Sequence, residues 1–198
     1  MLRPPILVMI GSPRNRRSLR LPEYDYGFTG TYFVTICTKG RISIFGVIVH
    51  GSVMLNEYGE IVAACWADLP HHYPNVLVDC FIVMPNHLHG LIEITDKRPV
   101  NSVGAQHAAP EAYSPRTVRP GSLAAIVRSV KAASTRRINL LSKTPSRTIW
   151  QRNYYEHVVR EESELEHVRE YIVNNPSRWA DDEENPDMLE RERQKLRG

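Results

Sequence analysis

Cysteine is scarce in this chain of 198 residues. Cys37, Cys65 and Cys80 are odd in number and form no Cys-x-x-Cys pair. That excludes a disulfide framework and a thiolate zinc site, and it suits a reducing, cytoplasmic setting. Long apolar runs are missing too. The opening stretch after Pro4-Pro5 is too short to span a bilayer and lacks a signal-peptide layout, so it reads as a loose leader with no membrane role. Internal repeats are absent. Acidic residues are absent from the first twenty positions, where Arg14, Arg16, Arg17 and Arg20 form a basic arm.

What is present is a lopsided charge. Residues 161–198 hold 12 of the 22 acidic and 6 of the 25 basic residues, a balance of −6, which leaves +9 on residues 1–160. A basic body with an acidic end suits a polyanion partner, and nucleic acid is the first to consider.

The hydrophobic pattern predicts one α+β domain. Tyr32 to Cys37 reads as a strand, and a helix is expected from the N-cap Asn56 through Trp66 to the break at His71-His72-Tyr73-Pro74. Val76 to Met84 and His87 to Ile94 read as two strands parted by Pro85-Asn86. Residues 96–120 read as a flexible loop. Ser122 caps a helix with Leu123, Ile126, Val127 and Val130 as its apolar stripe, which leaves Arg128, Lys131 and Thr135 on another face. A last strand falls within 148–159. Ser163 and Glu166 match a capping box for a helix that Pro176 ends. The order β, α, β, β, α, β, α is that of a ferredoxin-like split βαβ with an antiparallel sheet and a C-terminal helix. The expected divisions are an arm over 1–20, a domain over 21–180, and a charged, solvated tail over 181–198.

Two residues apart on a strand, His87 and His89 share one face, with Glu93, while Leu88, Ile92 and Ile94 take the other. Two imidazoles held rigidly together suit a divalent cation. Two ligands do not complete a site, so on spacing alone the ordinary reading is two histidines satisfied by neighbouring groups. On the last helix, Glu164, His167, Tyr171 and Asn175 line a strip beside the apolar stripe of Leu165, Val168 and Ile172. Tyr171 there is either an available phenol or a packed ring with its hydroxyl in solvent. Tyr154 and Tyr155, beside Glu156 and His157, are competing phenols that also suit a core or base-stacking role. His71, His72 and His167 read as surface or structural histidines.

Four segments together resemble a known family. Pro85-Asn86-His87-Leu88-His89-Gly90, Gly121 to Lys131, Trp150-Gln151-Arg152-Asn153-Tyr154-Tyr155-Glu156-His157, and Tyr171-Ile172-Val173-Asn174-Asn175-Pro176 resemble, in order, the single-tyrosine HUH transposases, and within them the REP-associated tyrosine transposases. The resemblance implies a metal-dependent endonuclease and strand transferase acting on single-stranded and hairpin DNA. It implies Tyr171 as nucleophile and His87 and His89 as ligands of Mg²⁺ or Mn²⁺. It makes Asn175 the third ligand, where the broader family often places a longer glutamine. Mixed nitrogen and oxygen ligation suits Mn²⁺ better than Mg²⁺. Arg14, Arg16, Arg17, Arg20, Arg128 and Lys131 are the expected DNA contacts. A monomer and a homodimer both fit the resemblance. Two other readings are a relaxase or replication-initiator nickase and a domesticated hairpin-binding protein that has lost catalysis.

Overall fold

The computed structural model describes residues 29–96 and 120–195. The arm arginines Arg14, Arg16, Arg17 and Arg20, and the loop from 97 to 119, lie outside the described residues.

Strand β1 (Gly30–Cys37) is the first element. A 3-10 turn at Lys39–Arg41 leads to a two-stranded hairpin, β2 (Gly46–Val49) with β3 (Ser52–Leu55). Its two-residue turn places both His50 and Gly51 at positive φ (48° and 75°), the primed geometry that matches strand twist. Helix α1 (Glu57–Ala67) follows, capped as expected by Asn56, whose side chain accepts from the Tyr58 and Gly59 amides. The one-turn helix α2 (Leu69–His72) precedes Pro74. Strands β4 (Val76–Val83) and β5 (His87–Ile94) form a hairpin around Pro85-Asn86, with a bulge between Val78 and Phe81. Helix α3 (Leu123–Leu141) starts at Ser122, whose hydroxyl accepts from the Ala125 amide. Strand β6 (Tyr155–Val159), helix α4 (Glu162–Asn174), a 3-10 turn (Pro176–Asp181) and helix α5 (Pro186–Lys195) complete the order.

The main sheet runs β4-β5-β1-β6 with every pair antiparallel. With α1 and α3 as crossovers, this is the ferredoxin-like arrangement expected from the sequence. The pleat sorts side chains between two layers. On one face Tyr32, Val34, Ile36, Leu88, Ile92 and Ile94 pack with Val62 and Trp66 of α1 and with Leu123, Ile126, Val127 and Val130 of α3. On the other, Phe33, Leu91 and Val159 meet Val168 and Ile172 of α4. Burying each of these two α4 side chains contributes about 1.5–3 kcal/mol, enough to seat one helix against the sheet. The larger layer presses close. A Cβ at Gly90 of β5 would lie 2.1 Å from the indole of Trp66.

Two expectations fail at the C-terminal end. The capping box does not form at Ser163: Glu161 takes the N-cap position of α4 without a side-chain bond, and it is Glu164 that reaches back to the Arg160 amide at 2.8 Å. The stretch just after 180 is not solvated either, because Asp182, Glu184 and Asn185 are buried. The 3-10 turn after Pro176 folds the chain back, and polar partners replace the lost water: Arg41 meets the Glu184 carboxylate at 2.9 Å, and the Asn86 amide donates to the Glu184 carbonyl at 2.6 Å.

Candidate metal and tyrosine site

Register places the two histidines. His89 pairs across with Thr35 and His87 with Cys37, so both rings project from the α4 face of the sheet. Both are buried. Their Nδ1 atoms are engaged from behind, His87 with Asn86 Oδ1 at 2.8 Å and His89 with Thr35 Oγ1 at 2.9 Å. The Nε2 atoms face each other 2.9 Å apart. When Asn86 accepts from His87 Nδ1 and Thr35 from His89 Nδ1, both Nε2 atoms are lone pairs, which repel unless a proton or cation lies between them. Two ligands at right angles, each about 2.1 Å from an octahedral ion, sit about 3.0 Å apart, close to the observed separation.

Asp182 completes an acidic corner. Its carboxylate and the two imidazoles offer ligand atoms within 4.8 Å of one another, and all three residues are buried. Asn175, the C-cap of α4, also reaches this corner. Its Nδ2 donates to Asp182 Oδ2 at 2.9 Å, while its Oδ1 is buried with no hydrogen-bond donor. A carboxylate and two imidazole nitrogens, with an unfilled buried acceptor on the residue bonded to that carboxylate, are a donor set that fits a divalent cation. The sequence pattern missed Asp182, since nothing distinguishes it within Asp181-Asp182-Glu183-Glu184.

Helix α4 brings the phenol. Tyr171 Oη lies 3.4 Å from His89 Nε2, and the Tyr171 ring meets Phe33 edge-on at 5.9 Å and His89 at 5.2 Å. Burial pushes the phenol pKa well above its ordinary value, and Asp182, Glu184 and Glu183 push it further, against a lowering by the Asn175 side chain. At neutral pH the phenol is therefore protonated. The helix is also pinned at both sheet edges. Glu164 meets His157 of β6 at 2.8 Å, and Arg169 makes a forked pair with Asp79 at the β4 bulge, closest contact 2.6 Å.

Other expected residues have different surroundings. The Lys131 ammonium donates to the carbonyls of Gln151, Arg152 and Asn153 at 3.0, 3.4 and 3.0 Å and stands 5.5 Å over the Tyr154 ring. Three carbonyls take up its N–H groups, so it shapes a loop. Arg128 is exposed on α3. Tyr155 packs edge-on against Phe33, away from the Nε2 pair. His71 and His72 pair with Asp68 at the surface.

Among the described residues no helix is long and apolar enough to cross a membrane. No family model matches the chain. Among solved structures, the chain is similar to a REP-associated tyrosine transposase bound to a REP hairpin, at 18% identity and a TM-score of 0.48 over 74% of this chain and 66% of that one, just under two thirds of its length. A second similarity is to a candidate transposase from Deinococcus radiodurans R1, at 17% identity and a TM-score of 0.43 over 77% of this chain and 93% of that one. A protein of Haemophilus influenzae strain Rd, described as uncharacterized, is 39% identical over 170 residues, which are 85% of this chain and 92% of the relative. This chain and the Haemophilus influenzae protein belong to one family.

Proposed function

We propose that the chain is a metal-dependent single-stranded DNA nicking and joining enzyme of the transposase kind, acting at hairpin DNA through a 5′-phosphotyrosine intermediate. One observation carries this reading: a helix 82 residues away in sequence brings the Tyr171 phenol to 3.4 Å from the paired imidazoles. A nucleophile beside a cluster of metal ligands is the arrangement that phosphoryl transfer to a hydroxyl needs.

His87, His89 and Asp182 are the residues that would hold the ion, with Asn175 Oδ1 as a further oxygen. A bound Mg²⁺ or Mn²⁺ supplies positive charge against the scissile phosphate and against the carboxylates around the phenol. Asn86 and Thr35 fix the ring orientations from behind, which keeps both Nε2 atoms forward. Tyr171 attacks phosphorus in line, the bond from phosphorus to the 3′ oxygen breaks, and the phenol proton ends on that oxygen, which leaves as a 3′-OH. Asn175 steadies the phenol oxygen as charge develops on it. Joining is the same exchange in reverse with another 3′-OH, so no nucleotide cofactor is consumed.

The test is incubation with hairpin oligonucleotides carrying single-stranded flanks, in Mn²⁺ or in EDTA, followed by denaturing electrophoresis. A metal-dependent covalent adduct is expected, and Tyr171→Phe should abolish it while hairpin binding survives. An undiminished adduct in Tyr171→Phe removes the nucleophile assignment. The second reading, a hairpin-binding protein without catalysis, is favoured by the three carboxylates crowded near the phenol, and it predicts binding with no adduct under any metal.

A further inference from the structure

On the far side of the sheet from Tyr171, α3 and the segment 146–152 flank an open, shallow groove of about 530 Å³. Arg128, Arg136, Arg147 and Arg152 line it with Thr135 and Gln151, and among the described residues no carboxylate does. All four arginines are exposed. Among the described residues none of them has a carboxylate within 4.0 Å, whereas Arg41 and Arg169 are each tied to acidic partners. Among the described residues, four guanidinium groups without a carboxylate partner surround one concavity, a concentration of positive charge that favours an anion.

The floor of the groove is packed. It holds Ile149 and Trp150, both buried, with the indole N–H donating to Ser134 Oγ at 2.9 Å and the ring packed on Phe45 at 5.0 Å. The rim is fixed by the Lys131 ammonium through the Gln151, Arg152 and Asn153 carbonyls. Arg128 and Arg136 lie eight residues apart on one helix, about 12 Å along its axis. A ligand that meets both is an extended polyanion, not a lone phosphate.

The groove also leads to the site. The Gln151 amide donates to the Cys37 carbonyl at 2.9 Å, Lys39 to Ile149 at 2.7 Å, and Thr38 to Asn86 at 2.8 Å, and Asn86 is the residue that holds His87. A strand leaving the groove at Gln151 therefore emerges at the end of the sheet that carries His87.

We propose that this groove binds the backbone of an unpaired nucleic acid strand, and that by holding the strand beside the cleavage site it sets which phosphate reaches Tyr171. The first half stands on the groove itself; the second rests on the cleavage reading above.

The experiment is fluorescence anisotropy of labelled single-stranded oligonucleotides across a salt series, using wild type and the triple variant Arg136→Ala, Arg147→Ala, Arg152→Ala, with the corresponding triple Lys variant as the charge-preserving control. All three positions are exposed, and thermal melts check that each variant folds. Each lost phosphate contact should flatten the slope of log K against log salt by about 0.7, so the triple Ala variant should lose about 2 units of slope and the Lys variant almost none. On a hairpin with a long single-stranded flank, the triple Ala variant should form adducts at scattered positions. An unchanged slope, no binding of single strands by wild type, or a stronger grip on blunt duplex would overturn the groove assignment. Loss of slope without any adduct from wild type would keep the groove and remove the cleavage reading; a normal adduct with an unchanged slope would do the reverse.

Discussion

Asp182 shows how far a residue's role can depart from its place in the sequence. The histidine pair is legible because a strand of period two must put His87 and His89 on one face whatever the rest of the fold does. Tyr171 and Asn175 are legible as one strip of one helix. Asp182 has no such periodicity behind it. It stands in a run of four acids, which ordinarily reads as a solvated stretch, and only the 3-10 turn after Pro176 returns it to the imidazoles. Asn175 is then its hydrogen-bond partner as well as the further oxygen proposed for the ion. The two residues separate in a ligand-binding melt. Mn²⁺ should raise the melting temperature of the wild type by several degrees, since an ion bound only to the native state at 100 times its Kd contributes about 2.7 kcal/mol. Asp182→Ala should abolish most of that shift, and Asn175→Ala should reduce it less. Equal shifts in wild type and Asp182→Ala would remove the carboxylate from the ligand set.

At the scale of the element, helix α4 is the part that must be placed accurately. Its apolar seat against the sheet consists of Phe33, Leu91, Val159, Val168 and Ile172, a quarter of the buried side chains that hold the opposite layer. The two polar pins compensate, one to each edge strand: Glu164 to His157 of β6 and Arg169 to Asp79 of β4. Neither is legible from helical periodicity, which places residues around an axis without saying which strand each will meet. The start of α4 is misread for a related reason, because Glu164 reaches the amide of Arg160, one residue before the N-cap. Burial raises the Glu164 carboxyl pKa, but the Arg160 amide and then the His157 ring outweigh it, so the net value lies below the ordinary 4.5. A carboxylate with a lowered folded-state pKa contributes stability that is fully present above the unfolded value and is lost as pH falls through the folded one. Glu164→Gln should therefore cost about 1 kcal/mol near neutral pH, the usual loss for a capping group. The gap in melting temperature between variant and wild type should close as the pH falls below 4.5. A gap that is constant with pH would mean that the carboxylate charge does not hold the helix.

For the whole molecule, the sheet is a wall with different work on its two sides. One side carries the imidazoles and the phenol; the other carries the main core and, at its margin, the arginine groove. The strand and helix order suffices for this architecture, since alternation of β and α segments with one tight hairpin leaves few right-handed arrangements. The β2–β3 hairpin is not legible, because its strands are apolar on both faces and its turn is His50-Gly51 in place of Asn-Gly or Asp-Gly. The wall is thinnest at Gly90, next to His89, where the Trp66 indole occupies the space of a side chain. Adding one methyl in Gly90→Ala should cost about 1–3 kcal/mol through overpacking, visible as a lower melting temperature, and Trp66→Leu in the same molecule should recover much of it. A melting temperature unchanged by Gly90→Ala would show that the indole yields freely. The close contact has a genetic counterpart: a selection for suppressors of Gly90→Ala should return alleles at Trp66, on the opposite side of the sheet from the tyrosine, so that the heritable footprint of this site extends through the sheet to a helix of the other layer.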